Sequence, residues 1–230
     1  MKRTFAFIIL VSFLLPSCNS VPPTSTTTEH LSVQYSAASI PWLTSLYNCA
    51  DGNVITTKQR GTKFLDIQSA TIIIRIGRPD QPTDFAYQIA KDDLLVIANM
   101  KNLSNKLTLD QVNELFTGQI QNWKSINGKD AQVQTWIFPS GEDIQGIFNQ
   151  TVLHGSPVVA TAHLATSPDE MGQAVQKDVN AIGIINKHWK TENVESVYTV
   201  ATNLPVLAIS QSKPQGFLSQ IITCMQSEVK

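Results

Sequence analysis

The chain has 230 residues, 42% of them hydrophobic and only 15% charged, with 17 Lys and Arg against 18 Asp and Glu. That length suits one large domain or two small ones. With no basic stripe and no run of like charge, nucleic-acid binding is set aside, and no internal period points to a solenoid.

Lys2 and Arg3 precede an almost unbroken apolar run over residues 5–16. The run has the length of a signal-peptide core and falls short of the ~20 residues a spanning helix needs. It ends in Leu15-Pro16-Ser17-Cys18, which resembles the bacterial lipoprotein lipobox. Residues 1–17 are then expected to be a lipoprotein signal peptide, with the Cys18 sulfur carrying a diacylglyceryl group that anchors the chain to the lipid membrane. The alternative is an ordinary secretory signal cut nearby. Residues 18–30 are rich in Pro, Ser and Thr, bury no core and read as a flexible tether. Removing 17 residues from 230 leaves 213, and the loss of Lys2 and Arg3 moves the net charge from −1 to −3.

Residues 31–35 alternate apolar and polar and predict a first strand. Ser36-Ala37-Ala38-Ser39 is a tight turn of small residues. Ser39 is expected to cap a helix with Pro41 in its first turn and Trp42, Leu43, Leu46 and Tyr47 on one face. Residues 54–57 predict a second strand. The β-branched run 71–74 and the run 94–98 read as buried parallel strands. Thr108 to Gln111 form a capping box for a helix that Gly118 stops. After a strand over 133–137, Ser140-Gly141-Glu142-Asp143 opens a helix carrying Ile144, Ile147, Phe148 and Val152, with Asp143 as the capping partner of Ser140. Ser167 and Pro168 start another helix, residues 181–185 and 206–209 are strands, and Phe217, Leu218, Ile221, Ile222 and Met225 mark the last helix. Strands alternating with helices predict an α/β fold with largely parallel sheets.

An exported chain meets oxidising surroundings. Once Cys18 is given to lipid, the even pair Cys49 and Cys224 invites a disulfide between the first helix and the last. Two buried free thiols are the alternative. No His or Cys stands at ligand spacing beside either one, so no metal site is expected.

Leu94 to Asn99, then Leu107-Thr108-Leu109-Asp110-Gln111-Val112, then Leu115-Phe116-Thr117-Gly118-Gln119-Ile120-Gln121-Asn122-Trp123, and later Ala181-Ile182-Gly183, resemble the phosphate-binding-protein-like group of ABC-transporter solute receptors in order, spacing and residue type. On their own, Gly118 reads as a chain reversal, Trp123 as a plug beneath it with its indole N–H on a main-chain carbonyl, and Gly183 as a close approach of two elements. The resemblance implies a two-lobed type II periplasmic-binding-protein fold. Residues 31–97 and 186–230 would form lobe I and 98–185 lobe II, with crossings near 96–99 and 183–186 and a ligand cleft between. It further implies an extracytoplasmic, lipid-anchored monomer that delivers a small-molecule or anion ligand to an ABC permease.

The expected ligand-binding residues are Ser36, Ala37, Ala38 and Ser39, then Arg75, then Ser140, Gly141 and Glu142. The phosphate pattern of the group is degenerate here. Where a Ser-Asp precedes Pro the chain has Ile76-Gly77-Arg78-Pro79, and where an Arg opens the last loop it has Phe138. Glu142 and Asp143 would repel a phosphate. Arg75, Arg78 and Arg60 are the cations that could offset them, the alternative for each being a solvated surface side chain. The four His residues form no i, i+4 pair, and there is neither a nucleophile elbow nor a phosphate loop, so neither an enzyme nor a cofactor is expected. A second reading is a surface interaction or sensor protein whose cleft is filled by its own side chains, such as Phe138.

Overall fold

A computed structural model describes residues 29–79, 83, 85–102 and 105–228; the signal segment, Cys18 and most of the tether lie outside the described residues. The elements run β1 (His30–Tyr35), α1 (Leu43–Asn48), β2 (Val54–Gln59), β3 (Ile72–Ile76), β4 (Ala86–Asn99), α2 (Leu109–Thr117), β5 (Gln134–Ile137), α3 (Asp143–Phe148), β6 (His163–Leu164), α4 (Pro168–Lys177), β7 (Ala181–Asn186), β8 (Val194–Ser210) and α5 (Gly216–Glu228). Eight strands join in the order β2-β1-β3-β8-β4-β7-β5-β6. One end holds β2, β1 and β3; the other holds β7, β5 and β6. The two long strands β4 and β8 run between them.

The sheet is mixed rather than largely parallel. β1 is parallel to β2 and β3, and β5 to β6 and β7, but β4 and β8 are antiparallel to each other and to their outer neighbours β7 and β3. β3 pairs with residues 206–210 of β8, whereas β7 pairs with residues 94–98 of β4. The chain therefore passes from one half to the other inside β4 and returns inside β8.

These two strands, 14 and 17 residues long, extend well beyond the predicted runs at 94–98 and 206–209. Lys91, Asp92 and Asp93 interrupt the apolar pattern of β4 and look like a loop in the sequence. In the fold they lie where the register shifts and the ladder bulges, between Gln88 and Leu95. Asp92 is buried there. It accepts a hydrogen bond from Asn186 Nδ2 at 2.7 Å, and His188 Nδ1 lies 3.0 Å from its other oxygen. Asp93 accepts from the Asn203 main-chain N–H at 3.0 Å. The polar residues that break the pattern hold the bend.

Local rules explain the rest. Ile72, Ile74 and Ile76 are fully buried on one face of β3, each contributing about 2 kcal/mol on burial. Thr108 and Gln111 cap α2 reciprocally, and Gly118 ends it in a left-handed turn at φ 81°. Ser167 accepts from the Glu170 N–H at the start of α4. Trp123 is fully buried with its indole N–H donating to the Asn180 carbonyl at 2.8 Å. A Cβ on Gly183 would collide with the Met171 sulfur, so glycine lets α4 pack on β7 without displacing that side chain. Cys49, at the end of α1, and Cys224, in α5, form a disulfide with their Cα atoms 5.8 Å apart. Near β1 the expectation fails in detail. Residues 37–42 form a 3-10 turn, and α1 starts only at Leu43. Ser39 is no helix cap: its hydroxyl donates back to the Ser36 and Ile74 carbonyls at 2.9 and 3.0 Å. Tyr47 is half exposed, its hydroxyl 3.0 Å from that of Thr57.

Candidate functional site

β1 and β3 run side by side through Tyr35 and Ile74, and the Ser36 N–H still donates to the Ile74 carbonyl at 3.1 Å. There β1 turns away into the 37–42 turn. The next inward N–H of β3, that of Ile76, is left without a strand partner, at the carboxyl end of parallel strands where α/β folds place ligands. It donates to a side chain from the other half of the molecule, Asp143 Oδ2 at 3.1 Å.

Asp143 is the centre of the site. Its side chain is fully buried, and Arg75 Nη2 lies 2.7 Å from its second oxygen. The contact is a close ion pair rather than an aligned hydrogen bond. The Asp143 N–H donates to the Thr62 hydroxyl at 3.1 Å, and the Lys63 N–H donates to the Gly141 carbonyl at 3.2 Å. Burial pushes the Asp143 carboxyl above its ordinary value; the Arg75 charge, the Ser36 hydroxyl, the Ile76 N–H and the Thr62 hydroxyl pull it back down. Glu142 is half-buried, and burial together with the neighbouring Asp143 charge pushes its carboxyl up against a hydrogen bond from the Thr62 main chain.

The loops meet closely. Gly141 has φ 95°, and a Cβ there would lie 2.8 Å from the Lys63 side chain; Gly77 has φ 77°, with Ile147 3.0 Å from the same point. Between Ala37, Ala38, Phe138, Asp143 and Thr166 only about 10 Å³ remains open, room for roughly one water. Outside this closed floor lies a wider, open cavity of about 360 Å³, lined by Lys63, Arg75, Arg78, Glu142 and Gln150.

Of the residues singled out in the sequence, Ser36, Ala37, Ala38, Arg75, Gly141 and Glu142 come together here. Ser39 lies beneath the turn, bonded to main chain. Ser140 is exposed and makes no side-chain hydrogen bond among the described residues, and α3 is preceded by Glu142 with no side-chain cap. The expected Ser140–Asp143 capping pair is therefore absent, because Asp143 turns across the cleft to Arg75. Arg78 borders the outer cavity, whereas Arg60 does not line it. Phe138 is buried at the closed floor, its N–H donating to Gln145 Oε1 at 2.9 Å. Asp143 is the site residue that sequence reasoning missed. Its signal was the acidic pair Glu142-Asp143 set against the distant cations Arg60, Arg75 and Arg78, but nothing local tells which carboxylate points inward.

No family model matches the chain. Among solved structures, it is similar to a protein from Clostridium perfringens described as a phosphate ABC transporter substrate-binding protein, with bound phosphate (TM-score 0.75, 18% identity, covering 86% of this chain and 93% of that one). It is also similar to an ABC-type phosphate transport receptor from Vibrio cholerae (TM-score 0.65, 17% identity, 86% and 93% covered). A third similarity is to the regulatory domain of CcmR from Synechocystis in complex with 2-PG (TM-score 0.62, 11% identity, 87% and 97% covered). At these identities the likeness shows the fold: a two-lobed, phosphate-binding-protein-like architecture of the type II periplasmic binding proteins, which regulatory domains share.

Proposed function

From the two-lobed periplasmic-binding-protein fold, we propose that this protein is an extracytoplasmic solute receptor that takes a small polar or anionic ligand between its lobes. Lobe I would comprise residues 31–97 and 186–230, and lobe II residues 98–185. Lipidation at Cys18 would tether it to the bacterial cell membrane, and an ABC permease would receive the solute; no covalent chemistry is involved. Among the described residues no helix is long and apolar enough to cross a membrane. One observation carries the reading. The guanidinium of Arg75 and the Ile76 N–H converge on a single carboxylate at the lobe junction, a donor set suited to an oxyanion.

The test is thermal melting of the mature chain against a panel of oxyanions, amino acids and sugars. A true ligand at 100 times its Kd adds about 2.7 kcal/mol, which for this size raises the midpoint by roughly 5–10 °C. A panel that leaves the midpoint in place removes the solute-receptor reading. The second reading, a sensor or interaction protein without a solute, is favoured by the closed floor of about 10 Å³. It predicts that native mass spectrometry of the purified protein finds no copurified small molecule.

A further inference from the structure

The donors at the lobe junction already hold a carboxylate, and it belongs to the chain. We propose that Asp143 is a built-in occupant of the cleft: its carboxylate fills the oxyanion cradle of Arg75 and the Ile76 N–H, keeps the lobes shut, and is displaced by an external small carboxylate or phosphate.

Four observations support this. Asp143 comes from one half of the molecule, while Arg75, Ile76 and Thr62 come from the other, so the contact spans the cleft rather than stabilising a loop. The carboxylate has no exposed surface, and it takes a main-chain N–H that the departure of β1 leaves without a strand partner. The floor has no room for a second oxyanion while Asp143 is in place. Beside it, the open cavity of about 360 Å³ brings Lys63 and Arg78 up to Arg75, two further cations against the Glu142 carboxylate on the same wall, along the approach to the occupied cradle. An arriving oxyanion exchanges one carboxylate–guanidinium contact for another, so Arg75 is never left unpaired in the low-dielectric floor. Displacement is therefore accessible, whereas simple loss of Asp143 is costly.

The inference rests on the cleft being a ligand site but can fail separately from it. Asp143→Ala empties the cradle. It is expected to melt about 10 °C below the wild type. Millimolar formate, acetate or inorganic phosphate should restore several degrees to it and shift the wild type and the surface control Asp130→Ala far less, because there the anion must first displace Asp143. Rescue by formate and acetate but not phosphate identifies a carboxylate ligand, and the converse a phosphate; either supports displacement. Equal anion response in wild type and Asp143→Ala, or response in neither, overturns the built-in occupant, even if the solute panel has found a ligand. Selective rescue with an inert panel keeps the occupant and removes the solute receptor. Should Asp143→Ala fail to fold, Asp143→Asn keeps the volume and the acceptor for Ile76 but loses the charge. Amide exchange at Ile76 and Asp143 should then quicken about tenfold as the lobes part. Wild-type protection in that variant overturns the proposal.

Discussion

Two junctions in this molecule join segments far apart in sequence, and they are built differently. Cys49 and Cys224, 175 residues apart, bind α1 to α5 covalently over the buried Leu46, Ile221, Ile222 and Met225. Ile76 and Arg75 meet Asp143, some 67 residues on, through a hydrogen bond and an ion pair alone. The first junction lies within one half of the fold and gains nothing from movement. The second spans the two halves, and its strength depends on a charge that another oxyanion can replace. A permanent bond is found where the scaffold must stay together, and an exchangeable one where the halves meet.

That contrast can be tested in order of effect. The Cys49→Ala/Cys224→Ala double variant should lose about 4–5 kcal/mol from the long loop it reopens, read as a lowered midpoint in denaturant melts with no change in anion response. If anion response changes as well, the two junctions are not independent. Arg75→Ala should cost about 3–5 kcal/mol because it strands a buried carboxylate. Arg75→Met/Asp143→Leu should recover most of that loss, since an apolar pair removes both charges together. A double variant as unstable as the single would show that packing, not charge, holds the halves together. Gly141→Ala should cost about 1–2 kcal/mol in thermal melts, from strain at positive φ and the contact with Lys63.

The smallest effect is in pH. Glu142 and Asp143 are both raised in the folded protein, Glu142 first by burial and then by Asp143, and Asp143 by burial against Arg75. The folded state then holds protons more tightly than the unfolded one. Stability from these groups rises as the pH falls through their raised values, and is complete near the ordinary carboxylate value of about 4. Glu142→Gln should flatten this part of the melting-temperature profile relative to the wild type. Superimposable profiles would separate Glu142 from the cleft's electrostatics.

Much of this could be read before any coordinates. The Thr108 capping box and the Ser167-Pro168 helix start depend on residues a few positions apart, the Cys49–Cys224 bridge on simple parity, and the buried Trp123 and tight Gly183 on the residue types themselves at positions the family resemblance marks. Propensity, capping and steric rules act at that range. The full lengths of β4 and β8 were not legible, because Lys91, Asp92 and Asp93 carry the chemistry of a loop and become strand only when Asn186, His188 and Asn203 arrive to pair with them.

By itself, then, the sequence determined the α/β alternation, the element starts and the cysteine pairing, since each is a local or countable property. Only the tertiary structure decided that Asp143, and not its neighbour Glu142, enters the cleft. A carboxylate at the start of a helix takes its direction from what stands opposite, and Arg75 and the unpartnered Ile76 N–H stand there only once the two halves have met.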